Sequence, residues 1–119
     1  MEESIMDMLV GLIVPEEILK SFTVSALKEW GDRYEITLTE KEGFIPEALK
    51  GKEVVLDGYW NALELQTFPQ KGKACYLKLI RRKWKQAGDS KGYGNSYHYN
   101  VDGTKATQDF GAFLKEYLR

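Results

Sequence analysis

Between Leu65 and Gly88 the chain carries Lys71, Lys73, Lys78, Arg81, Arg82, Lys83 and Lys85 without a single Asp or Glu, and Trp84 sits among the last of them. Guanidinium forks and ammonium groups suit phosphate oxygens, and an indole beside them offers a surface for a base or a sugar edge. The chemistry this pattern suits is therefore contact with a polyanion. In an extended strand Tyr76, Lys78, Ile80, Arg82 and Trp84 share one face and Cys75, Leu77, Leu79, Arg81 and Lys83 the other. Both faces begin apolar and turn basic, so a strand over 74–85 is predicted to leave the core near Ile80 and to carry Arg81 to Lys85 past the sheet. The plainer reading is a solvated edge whose lysines guard against aggregation, or a strand paired with acidic groups of the same chain.

Other chemistries find little to work with. The single Cys75 lies on an apolar strand face with no histidine near it in sequence, which reads as a buried structural thiol. His98, the only histidine, stands between Tyr97 and Tyr99 and reads as a packed or surface residue. One Cys and one His exclude a disulfide within the chain, a Cys-rich zinc site and paired-His metal motifs. Gly88, Gly92 and Gly94 do not have the spacing of a phosphate-cradling loop and read as a flexible loop. The carboxylates fall singly on strand exteriors and helix starts. The reading is of a non-enzyme with no cofactor and no metal.

With 119 residues the chain reads as one domain, 1–119, with 43% hydrophobic residues to form a modest core. Its net charge of -1 hides an imbalance: residues 1–64 hold six basic and fourteen acidic side chains, residues 65–119 eleven basic and four acidic. The halves face different partners, or each other. The longest apolar run, Met8 to Val14, is stopped by Pro15 and preceded by Glu2, Glu3 and Asp7, so neither a membrane span nor a signal peptide is expected and the location read is cytoplasmic.

The elements that must position the basic strand follow from period and punctuation. Residues 4–13 read as a short apolar helix and 15–22 as a second, with Pro15 at its start. From Thr23 the period becomes two, setting Val24, Ala26 and Lys28 against Ser25, Leu27 and Glu29. Trp30-Gly31-Asp32-Arg33 reads as a hairpin turn into Tyr34–Glu40, with Tyr34, Ile36 and Leu38 on one face. A brief helix over 44–51, strands over 53–60 and 63–68, a turn at Pro69–Lys73 and a returning strand over 96–101 complete the sheet. A final helix carries Phe110, Phe113, Leu114, Tyr117 and Leu118 on one face, capped by Thr107. Gly111 inside it implies that something approaches that side closely. The fold class is α+β: an antiparallel sheet with helices at both chain ends. Met6, Leu9, Val10, Leu12 and Ile13 can line a helix that packs on its own sheet, pairs with a second copy as a homodimer, or docks another polypeptide.

Taken together, Pro15-Glu16-Glu17-Ile18-Leu19, Gly58-Tyr59, Gln66–Lys73, Tyr76–Trp84 and Gly103–Glu116 resemble the N-terminal region protein of bacterial insertion-sequence transposases. The most specific piece is Phe68-Pro69-x-x-Gly72-Lys73 followed by a strand ending in an Arg/Lys run and Trp84. The resemblance implies a small non-catalytic partner of a separate catalytic subunit with an RNase-H-like fold, and contact with transposon-end DNA. Related modules often carry zinc-binding cysteine pairs; this chain has none, which excludes a metal-organised version. On that reading Lys71, Lys73, Lys78, Arg81, Arg82, Lys83 and Lys85 contact phosphates and Trp84 packs beside them. The rival reading is a protein-interaction or oligomerisation module without nucleic-acid binding.

Overall fold

Alternation of apolar and polar residues decides which strands form and which face each one buries. The computed structural model describes residues 4–117. Two short helices, α1 (Ile5–Gly11) and α2 (Glu16–Leu19), lead into strands β1 (Phe22–Glu29) and β2 (Arg33–Glu40). After a single 3-10 turn at Glu47–Leu49 come β3 (Val54–Tyr59), β4 (Leu63–Gln70), β5 (Lys73–Ile80) and β6 (Arg82–Gln86), and the helix α3 (Gln108–Tyr117) closes the order. The class is α+β with helices near both ends.

The main sheet has four strands in the order β1-β2-β5-β4. The β1–β2 hairpin turns where the sequence predicts, with Trp30 N–H donating to the Arg33 carbonyl at 2.8 Å. One junction departs from the antiparallel expectation: β2 and β5 run parallel, Ile36 beside Leu77 and Leu38 beside Leu79. The crossover this requires is supplied by the 3-10 turn, β3 and β4. Ile36, Leu38, Leu65, Cys75, Leu77 and Leu79 form the buried face, covered by Val14, Ile18, Phe22 and Tyr99. The opposite face is polar, as expected of a sheet wetted on one side.

Two local features shift side chains from their predicted faces. In β1 the register slips between Val24 and Ala26, so Val24 stands opposite Leu38 and Leu27 opposite Ile36. Ser25 is the extra residue of this bulge, its hydroxyl donating to the Thr37 carbonyl at 3.2 Å and accepting from Thr39 at 3.0 Å. Val24 and Leu27 thereby share the face that simple alternation separates. The second feature is the break at Arg81, where the predicted strand over 74–85 divides. Ile80 ends β5, and β6 joins β3 in a separate two-stranded sheet with Leu56 opposite Trp84 and Tyr59 opposite Arg82.

The predicted returning strand over 96–101 is instead an irregular segment with, among the described residues, a single isolated bridge, between Asn100 and Thr107. Its Tyr97 and Tyr99 stack on each other and meet Phe22 edge-on, so the tyrosines pack the core without a continuous ladder. Lys105 and Thr107 cover the outer edge of β4 through Gln66, whose N–H donates to Lys105 O at 2.7 Å and whose carbonyl accepts from Thr107 N at 2.9 Å. In α3 only Phe110 is buried; Phe113 rests on Phe68 while 42% exposed, Tyr117 is 70% exposed, and Leu118 lies outside the described residues. The approach that Gly111 implies comes from Val101: a Cβ at 111 would stand 2.4 Å from Val101 Cγ2.

Candidate nucleic-acid interface

The hairpin between β4 and β5 turns on Lys71 (φ 51°) and Gly72 (φ 76°), flanked by the facing pair Gln70 and Lys73. Two consecutive left-handed residues match the right-handed twist of the strands they join. The turn leaves Lys71 exposed at the tip. Lys73, two residues on, is engaged: its Nζ donates to Glu29 Oε2 at 2.8 Å and to the Trp30 carbonyl at 3.3 Å. The bond to Lys73 pulls the Glu29 carboxyl below the ordinary range and raises the lysine in turn.

Lys78 projects from the wetted face of β5 and donates to Glu35 Oε1 at 2.8 Å, while Arg33 lies 3.5 Å from the other oxygen. Glu35 is largely buried between them, and the Lys78 bond holds its carboxyl low. Both β5 lysines therefore face carboxylates from the acidic first half of the chain.

Past the break the cations are fixed in different ways. Arg81 donates through Nη1 to the Asn95 carbonyl at 3.0 Å, and its buried Nε has no hydrogen-bond partner among the described residues. Arg82 is turned inward: Nε donates to the Glu40 carbonyl at 2.9 Å, the guanidinium lies 5.8 Å from the Tyr59 ring centre, and Glu42 is 3.9 Å away. Lys85 reaches Asp57 at 4.0 Å. Lys83 has no ion pair among the described residues; its Nζ sits 5.0 Å above the Trp60 ring centre. Trp84 is half-buried and pairs its backbone with Tyr93 in both directions, at 2.8 and 2.7 Å.

The expected basic end projecting past the sheet is thus corrected. Arg82 to Lys85 lie within the second sheet because Tyr59 and Leu56 of β3 offer them a ladder, and Lys73, Lys78, Arg82 and Lys85 stand near Glu29, Glu35, Glu42 and Asp57. Glu35 is buried under Lys78 and Arg33, while the carboxylates facing Lys73, Arg82 and Lys85 are more exposed and add little to stability; together the pairs remove the uninterrupted cationic stripe. Lys71 and Lys83 keep their charge unpaired among the described residues, yet on different sheets.

Sequence reasoning missed the partners that shape the second sheet. Lys91 lies 5.0 Å over the Tyr93 ring, and Trp60 lies under Lys83. Gly92 and Gly94 belong to this surface, for a Cβ at 92 would meet Lys83 Cε at 2.5 Å and one at 94 would meet Trp60 Nε1 at 2.3 Å. The glycines flank Tyr93 because Lys83 and Trp60 lie flat across them. The Gly-x-Gly pattern around a tyrosine was the available signal. The outcome is two ammonium groups each propped on an aromatic ring, Lys83 on Trp60 and Lys91 on Tyr93, with no carboxylate within ion-pair distance of either among the described residues.

Cys75 is fully buried and its thiol is pushed up by burial, while His98 is exposed and 3.1 Å from Asp102. Among the described residues no group of three His, Cys, Asp or Glu is placed to hold a metal ion, and no helix is long and apolar enough to cross a membrane. Comparison with protein-family models, curated proteins and solved structures finds no match.

Proposed function

We propose that this chain is a non-catalytic accessory domain of a split insertion-sequence transposase, cytoplasmic, which contacts transposon-end DNA and works beside a separate catalytic subunit. The sequence runs that resemble the N-terminal region proteins of such transposases support the identity. The observation that carries nucleic-acid contact is two ring-borne lysines, Lys83 of the second sheet over Trp60 and Lys91 in the following loop over Tyr93, whose ammonium groups have no ion pair among the described residues. Ammonium groups held on rings keep a fixed position and an available charge, which suits phosphate contact. Lys85, only loosely paired with Asp57, adds to the same sheet. Lys73 and Lys78 take no part, being held by Glu29 and Glu35.

The test is titration of labelled duplex DNA at several salt concentrations. Two or three neutralised phosphates give a slope of about -2 to -3 in log affinity against log salt. Replacing Lys83 and Lys91 by Ala lowers that slope by about 1 to 2, whereas Lys73→Ala with Lys78→Ala leaves it unchanged. Absence of salt-dependent binding by the folded protein overturns the proposal.

A second reading, an interaction or oligomerisation module, is favoured by one observation. Ile5, Met6, Met8, Leu9 and Leu12 of and beside α1 are 50–81% exposed, and an apolar row of that kind marks a surface meant to be covered. A concentration-dependent dimer by sedimentation, abolished by Leu12→Glu, supports the second-copy version.

A further inference from the structure

A groove of about 240 Å³ opens between the end of α1 and the main sheet, beside the edge strand β1. Val10, Ile13, Val24, Leu27 and Ile36 give it apolar walls, Tyr34 and Gln70 add polar groups, and Lys71 is the charged side chain in its lining. The volume would hold about eight waters, the room that one or two large apolar side chains take. Leu27, on the rim, is 65% exposed, and its place there is a product of the Ser25 bulge, which turns it to the same face as Val24.

Three features specify what fits. The walls are apolar. The charge in the lining is a cation: Lys71 has no ion pair among the described residues, and Glu29, whose charge it also feels, is engaged by Lys73 at 2.8 Å. The border is the last strand of its sheet, so along its outer side β1 has no strand partner for its N–H and C=O groups among the described residues. A small amphiphile would use the first two and leave the third idle; an extended polypeptide uses all of them, its backbone pairing with β1 and alternate side chains entering the groove.

We propose that the groove between α1 and β1 docks an extended segment of a partner polypeptide that carries large apolar side chains beside a carboxylate, the apolar groups filling the groove and the carboxylate meeting Lys71. This stands independently of DNA contact, which lies on the other sheet.

Random dodecapeptides displayed on phage are selected against the whole chain, against Leu27→Asp and against Lys71→Glu, each shown folded by its thermal melt. Both positions are exposed, so both variants retain the core. Peptides enriched on the parent protein combine Leu, Ile, Phe or Met with Asp or Glu. The synthetic consensus binds about tenfold more weakly to Leu27→Asp and about three- to tenfold more weakly to Lys71→Glu, with Lys105→Glu as an unaffected control. Selection on Lys71→Glu exchanges the acidic residue for Lys or Arg. Enriched peptides without an acidic bias, unchanged binding to Lys71→Glu, no enrichment, or a homodimer that Leu27→Asp converts to monomer each overturn the proposal. Loss of DNA binding in Lys83→Ala leaves it untouched, so the two readings fail separately.

Discussion

Glu40 and Arg82 hold each other at both ends: the Glu40 carboxylate accepts the Arg82 backbone N–H at 2.9 Å, and Arg82 Nε donates to the Glu40 carbonyl at 2.9 Å. The pair fastens the end of β2 to the start of β6, and so joins the two sheets. Asn95 Nδ2 donates to the other carboxylate oxygen at 2.9 Å, and Tyr97 OH donates to it as well. Glu40 is 1% exposed, which makes each of these partners necessary.

Replacing Glu40 by Ala strands three donors at once and is expected to destabilise the fold by about 2–4 kcal/mol. Glu40→Gln keeps the volume and part of the bonding and should fall between. Urea unfolding measures both. A loss under about 0.5 kcal/mol for the alanine variant would be that of an ordinary surface site and would contradict this account.

Gly94 and Gly92 should respond unequally to a methyl group. At 94 it meets the rigid indole of Trp60, with Nε1 at 2.3 Å and Cδ1 at 2.8 Å; at 92 it meets the flexible end of Lys83. Gly94→Ala is expected to cost about 1–3 kcal/mol and to change the near-ultraviolet tryptophan signal, and Gly92→Ala to cost less. Equal effects would mean that Trp60 is not seated as described.

Gly111→Ala pits two effects against each other. Helix propensity favours Ala by about 1 kcal/mol, but the new methyl would lie 2.4 Å from Val101 Cγ2. The single variant is expected to be destabilised, and Gly111→Ala combined with Val101→Ala to be less destabilised than the two effects added. A double-mutant cycle with no coupling would rule out the close approach.

Stability should fall on both sides of a neutral plateau. Glu29 and Glu35 are held low by Lys73 and Lys78, so their contribution is present above the unfolded carboxyl range near ~4.3 and lost as pH falls through their folded values. Tyr97 is raised by burial and then by Glu40, and Lys73 by Glu29. Their contributions are complete below the unfolded values of about 10 and 10.4 and are lost as pH rises through the folded ones. Chemical denaturation across pH reads this directly, and Lys78→Met should flatten part of the acid limb.

What the sequence made legible were regular periods. Tyr34, Ile36 and Leu38 fall on one face as alternation requires, and that same alternation puts Glu40 on the apolar side, the one hint of its burial. The turns at Trp30–Arg33 and Lys71–Gly72 and the start of α3 at Thr107 were also readable, because each depends on neighbours within a few residues. The Ser25 bulge, the parallel β2–β5 junction and the division at Arg81 depend on pairing with distant strands, and nothing local announces them. The same holds for the candidate site. Lys71 and Lys83 could be named from charge alone, but the capture of Lys73 by Glu29 and of Lys78 by Glu35 is a property of strand order. Lys91 and Trp60 were hidden because their place depends on Tyr93 returning to Trp84.

The joint at Arg81 also governs how this molecule tolerates change in length. Since β5 and β6 are one uninterrupted stretch serving two sheets, a residue inserted or deleted near the joint would turn every later side chain to the wrong side. Lys83 would leave Trp60, and Arg82 would leave Glu40, in the same event. Additions are therefore channelled to exposed bends such as 88–91 and 102–104, where the backbone answers to no strand.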